Sequence, residues 1–183
     1  PNIGPLNVAV IDADLVNAFA LPGGEILITR GLLETAKSAE EVAGVLAHEI
    51  AHVDLRHPEE LLFRRYGYDL LLSTVVGSGA VTEFAANASI YLLKTANSRN
   101  SEVAADRAGV DMLLRAGIST NGIARFFARL DSQQGKIETA LKYLSTHPTS
   151  AARAEMMSAA GDLGGMAMSM TDWITLKLIC ASD

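Results

Sequence analysis

Residues 38–57 read SAEEVAGVLAHEIAHVDLRH. Ser38 followed by Glu41 has the form of a capping box, and Pro58 ends this helix or opens the next. Val42, Val45, Leu46, Ile50 and Val53 recur on one helical face. Ala43, Gly44, Ala47 and Ala51 are small enough for close neighbours. Within this helix His48 and His52 are one turn apart, about 40° around the axis, so both rings reach one point. His48-Glu49-x-x-His52 is the pattern of a two-imidazole metal claw with a carboxylate beside it. A solvated face is the alternative, but VAGVLAHEIAHV has a buried character. Polar groups placed there need partners, and a metal supplies one.

With 183 residues the chain reads as one domain, 1–183, able to bury a sizeable core. Aromatic residues are 5% while Ala and Leu abound, which points to a mainly helical protein. A net charge of −6 gives no reason to expect nucleic acid as a partner. The single cysteine, Cys180, excludes an internal disulfide and a cysteine-ligated metal site. The chain opens PNIGPLNV, without an initiator Met or a signal-peptide pattern. That reads as a processed or trimmed product, with any address or membrane anchor lying upstream.

Leu6–Ile11, Val16–Leu21 and Glu25–Thr29 read as strands, with a turn at Pro22-Gly23-Gly24. A small, largely antiparallel sheet is therefore expected before the helix of residues 38–57, with a short helix over Gly31–Ala36 between them. Glu59–Ala96 is helical and apolar, with a break near Gly77-Ser78-Gly79. Its uncharged run, Leu70–Val81, is too short to span a bilayer, so a helical hairpin packed on the core is expected. Further helices are expected at Asn100–Arg115, closed by Gly117, and at Asn121–Leu130, Ile137–Leu144 and Ser150–Ala160. Residues 161–183 read as a loose connection and a closing helix over Asp172–Cys180. The fold class is α+β.

A catalytic zinc needs three protein ligands and an open position. Beyond His48 and His52, the candidates are His57, His147 and the carboxylates. His57 lies on a different helical face from His52 and reads as structural or exposed. Glu102 and Asp106 are i and i+4 on one helix, so Glu102 can ligate while Asp106 orients a histidine. The same spacing is common on solvated helix faces, and spacing does not choose between the two.

His48-Glu49-Ile50-Ala51-His52 followed by Glu102-Val103-Ala104-Ala105-Asp106 resembles the gluzincin metallopeptidases. The resemblance is to the family that contains the CAAX prenyl endopeptidases and the periplasmic proteases of outer-membrane quality control. Asn17-Ala18-Phe19-Ala20-Leu21-Pro22-Gly23-Gly24 resembles that family's segment before the metal helix. Thr146-His147-Pro148 with Arg153 resembles its late H-P…R element. The resemblance runs from Asn17 to Arg153 and implies a zincin-like core with one zinc per chain. It makes Glu102 the third ligand and Asp106 its partner, with Asn17 and Arg153 as supporting or substrate-side residues. It also implies a bacterial cell envelope or periplasmic setting.

The implied activity is zinc-dependent endopeptidase cleavage of unfolded or misfolded segments, with Glu49 as general base. Substrate would bind extended along a strand edge, which leaves open whether Val16–Leu21 or Glu25–Thr29 is that edge. His147 has three readings: oxyanion donor, plug of the open zinc position, or plain loop residue. Its setting between Thr146 and Pro148, with Gly135 upstream, favours the plug. The alternative function is a binding or chaperone-like module with proteolysis shut off. Glu49 argues against it, because a structural zinc needs no base.

Overall fold

The computed structural model describes residues 4–76, 97–132, 146, 147, 153, 155, 156 and 164–178. Three strands come first: β1 (Asn7–Ile11), β2 (Ala18–Leu21) and β3 (Glu25–Thr29). The β2–β3 hairpin is antiparallel and pairs Ala18 with Ile28 and Leu21 with Glu25. Its turn needs glycine, because Gly23 and Gly24 have φ of 85° and 87°. β1 joins β3 in parallel, from Asn7 opposite Glu25 to Ile11 opposite Thr29. The sheet is therefore mixed, in the order β1-β3-β2, with β3 central. A tight turn fixes the hairpin as antiparallel. β1 returns to β3 only through the whole intervening segment, and a connection of that length permits parallel pairing.

Helix α1 (Arg30–Thr35) follows β3 directly, with the Thr29 hydroxyl accepting from the Leu32 N–H. Then come α2 (Ala39–Asp54), α3 (His57–Val76), α4 (Arg99–Ala116), α5 (Asn121–Ser132) and α6 (Met170–Leu178). Ser98 caps α4 at its start, and Gly117, at φ 70°, closes it. Lys177 of α6 donates to the carbonyls of Glu34 and Ala36, satisfying the end of α1.

The start of α2 differs from the capping box read in its sequence. Ser38 holds the N-cap position, but its side chain makes no capping bond. Glu41 instead accepts from the Lys37 N–H at 2.8 Å and from both terminal nitrogens of Arg129 at 2.6 Å. A guanidinium from α5 outcompetes the local contact, because two charge-assisted bonds exceed one neutral one.

α2 is the axis of the fold, packing on α4, α5, α3 and β2. Val42 and Val45 join Ile26, Ile28, Phe126 and Trp173 in one buried core. The small residues of α2 let backbones approach. A Cβ on Gly44 would lie 2.6 Å from the Ile123 Cβ, and one on Gly109 of α4 would lie 3.3 Å from the His48 nitrogen. α4 is thereby held close against the histidine-bearing turn.

α3 begins the helical stretch expected after His57. The break near Gly77 and the second arm of that hairpin lie outside the described residues. So do the helix at Ile137–Leu144 and most of Ser150–Ala160, within which Arg153, Glu155 and Met156 are helical. Among the described residues no helix is long and apolar enough to cross a membrane.

Candidate metal centre

The buried face of α2 carries His48, Glu49 and His52, exposed by 0%, 1% and 2%. α4 crosses it with Glu102 and Asp106, also buried. His147 enters from the later chain. Four atoms converge: Nε2 of His48 and of His52, the Glu102 carboxylate and Nδ1 of His147, all within 4.8 Å of one another.

The separations identify what the cluster fits. His48 Nε2 is 3.0 Å from His52 Nε2, 3.3 Å from Glu102 Oε2 and 3.3 Å from His147 Nδ1. Glu102 Oε1 is 3.3 Å from His52 Nε2 and 3.2 Å from His147 Nδ1. Bonds of about 2.0–2.1 Å to a tetrahedral zinc place neighbouring donors about 3.3 Å apart. The electron pairs matter as well. His48 Nδ1 lies 2.9 Å from Asp106 Oδ1, a contact that would keep a proton on Nδ1 and leave Nε2 free for a metal when one is bound. Imidazole nitrogens and a carboxylate gathered in a dry pocket favour a shared cation at the centre, either protons or a metal ion. The four donors could hold a metal ion at zinc-like spacing, with His48, His52 and Glu102 beside one another and His147 at the remaining vertex.

Behind the donors stands Arg153, exposed by 3%. Its guanidinium bonds both Asp106 oxygens and reaches Glu102 Oε2 at 2.9 Å. Electrostatics follow this geometry. Burial opposes a charged His48, yet Asp106 and Glu102 outweigh it and push its pKa up to about 10. Burial pushes His52 down to about 4 against the pull of Glu102. Burial alone would raise Glu102, but the charge and hydrogen bonds of His147, with those of His48 and His52, hold it well below the usual carboxylate range. Asp106 is likewise held low by Arg153 and His48 against its burial. The metal-free centre is thus a network of shared protons, as expected of groups arranged to share a cation.

Glu49 Oε1 lies 3.5 Å from His147 Nε2. Together with His52, Phe19, Ala20, Pro58 and Asn97 they line a cavity of about 30 Å³, room for one or two waters. β2 borders this cavity and is hydrogen-bonded to the sheet on one side only. Of the two strands left open by the sequence, β2 is the edge and β3 is interior. A larger cavity, about 330 Å³, lies beside Lys37, Arg125 and Trp173 at the opposite end of α2 and contains none of the histidines. The donor chemistry singles out the smaller one.

Asn17 does not touch the donors. It is buried, its backbone pairs with Thr29, and its side chain donates to the Thr146 hydroxyl at 3.4 Å. It ties the start of the edge strand to the residue before His147. His57 was read as structural or exposed on a continuing helix. It is half-buried, with Nδ1 2.8 Å from His52 Nδ1. α2 ends at Asp54, and Arg56 turns the chain at φ 56°. Pro58 signalled that stop, but not the direction in which His57 would then point.

The profile of peptidase family M48 matches residues 3–160. Mitochondrial metalloendopeptidase OMA1 of Schizosaccharomyces pombe is 33% identical over 141 residues, which is 75% of this chain and 41% of that protein. The putative beta-barrel assembly-enhancing protease of Vibrio cholerae is 33% identical over 144 residues, covering 73% and 30%. Metalloprotease LoiP of Escherichia coli is 29% identical over 156 residues, covering 82% and 61%. The chain spans less than two thirds of the length of each of these relatives.

Proposed function

The chain belongs to peptidase family M48, and on that premise we propose that it is the catalytic part of a zinc-dependent endopeptidase. The observation that carries this reading is the buried four-donor cluster with a glutamate beside it. His48, His52 and Glu102 would hold one zinc. When bound, the metal supplies Lewis acidity, which activates water and polarises the scissile carbonyl.

The remaining work falls to the chain's own side chains. Glu49 accepts the attacking water's proton and returns it to the leaving amine. Asp106 keeps the proton of His48 on Nδ1 and its lone pair on Nε2. Arg153 holds both carboxylates in place. His147 fills the fourth vertex, the position that hydrolysis must open, so the arrangement supports a resting, self-inhibited state. A polypeptide enters as an added strand on β2, through backbone hydrogen bonds indifferent to sequence. That suits unfolded or misfolded segments. The relatives' names speak of mitochondria and of β-barrel assembly. The setting proposed for this chain is a bacterial envelope or periplasm, with any membrane attachment through a segment upstream.

The alternative, a binding module with proteolysis shut off, leaves the buried Glu49 without a task. Hydrolysis of unfolded casein, with and without a chelator, separates the two. Glu49→Gln is expected to keep its metal and lose about 10²–10⁴-fold in turnover. Parental turnover in that variant would refute the assignment of Glu49.

A further inference from the structure

The two metal-facing imidazoles of α2 are held from behind by different partners. His48 has the Asp106 carboxylate at Nδ1. His52 has another imidazole: His57 Nδ1 lies 2.8 Å from His52 Nδ1, with ring centroids 4.9 Å apart and planes inclined by 67°. The edge-on arrangement lets one ring's N–H point along the other ring's lone pair.

This contact depends on a break in the helix. Had α2 continued, the fifth residue after His52 would lie about 140° around the axis from it. Instead the Leu55 and Arg56 N–H groups close the last turn on Ala51 and Val53. Arg56 takes a left-handed conformation, φ 56°, and α3 starts on its carbonyl. The chain doubles back and turns the first residue of α3 toward the metal helix.

We propose that His57 is a positioning residue for the metal, which rests on the zinc-endopeptidase reading above. His52 can bind a metal through Nε2 only if its proton sits on Nδ1. Nδ1 of His57 accepts that proton as a hydrogen bond, which selects the binding tautomer and fixes the ring's rotation. His57 then carries its own proton on Nε2. The ring also lines a small polar cavity with Glu60, Asn97 and Ser98, which offers acceptors for it. Without an acceptor at position 57, the buried His52 N–H is unpaired whenever Nε2 faces the metal. Its other tautomer then turns a proton toward the donors.

The test compares His57→Asn with His57→Phe. Asparagine places an amide oxygen near the position of Nδ1, whereas phenylalanine keeps the ring and loses the acceptor. Affinity for Zn²⁺ is measured by chelator competition, and the ligand field is read from the visible bands of the Co²⁺-loaded protein. Circular dichroism checks that each variant is folded. The expected result is a 10–100-fold weaker Zn²⁺ affinity and altered Co²⁺ bands for His57→Phe, with both restored in His57→Asn. Parental affinity and bands in His57→Phe would overturn the proposal, as would equal losses in both variants. A parent protein that binds no Zn²⁺ would overturn the underlying function as well. A tightly binding parent with an indifferent position 57 would overturn only this inference.

Discussion

Replacing Arg153 by Met tests the second rank of the metal centre. The parent has two carboxylates with 0% side-chain exposure, Glu102 and Asp106, bridged by one guanidinium. Methionine fills similar space and removes the cation. Breaking a buried ionic network by deleting one partner costs about 3–5 kcal/mol. For a protein of this size each kcal/mol shifts Tm by about 2–4 °C, so the chelated variant should melt about 6–20 °C below the chelated parent. With metal bound, Glu102 regains a cation and the deficit should shrink. The pH dependence gives a second check. Burial raises the Asp106 pKa, but Arg153 and His48 hold it below the ordinary range. A depressed folded value contributes stability that is complete above the unfolded pKa, about 3.9, and is lost as pH falls through the folded value. The gap between parent and variant should therefore be full at neutral pH and close below about pH 4. Thermal melts by circular dichroism across pH, with and without chelator, provide the measurement. A chelated variant within about 1 kcal/mol of the parent at pH 7 would refute the reasoning, because it would leave two buried carboxylates needing no cation.

His147→Ala should raise casein hydrolysis per bound metal if the side chain is a plug. A fall of about 10²–10³-fold would instead identify a transition-state donor, and no change would remove His147 from the mechanism. Gly44→Ala sets a gain of about 1 kcal/mol in helix propensity against an overpacking cost of about 1–3 kcal/mol. A Cβ there lies only 2.6 Å from that of Ile123, so a lower urea midpoint is expected, and a higher one would show that α5 yields freely. At Arg56, φ 56° is tolerated by glycine but not by a β-branched residue. Arg56→Gly should match the parent in thermal stability while Arg56→Val loses about 1–2 kcal/mol; equal melts for both would show that the turn relaxes.

The elements most legible in the sequence were those whose cause is local. The β3 strand, Glu25–Thr29, matches its reading residue for residue, since Gly23-Gly24 and the apolar run set its limits. The helix with His48 and His52 is recognisable because its small residues and its motif share one period. What depends on distant partners was less legible. Glu41 has the spacing of a capping residue, but Arg129, 88 positions away, claims it. β1 carries nothing that distinguishes parallel from antiparallel pairing; its place follows from the route of the chain through β2. Within the site, the spacing of Glu102 and Asp106 left a solvated helix face equally open. The close crossing at Gly109 aims the two carboxylates inward, and that is a property of two helices together. His57 lies nearer His52 than a helical wheel places it, because a wheel presumes a helix and the chain leaves it at Arg56.

The centre also has a history in time. His48 meets His147 across 99 positions, and Asp106 meets Arg153 across 47. A ribosome therefore releases the metal helix long before it releases the arginine that balances the carboxylates. Until residue 153 emerges, burying Glu102 and Asp106 together costs about 3–5 kcal/mol more, as in the Arg153→Met variant, so α4 packs less firmly against α2. A nascent chain of this kind is itself an unfolded polypeptide, the class of substrate proposed for the finished enzyme. By placing the neutralising cation 47 positions after the carboxylate it balances, the sequence makes this buried site one of the last parts of the matched region to close.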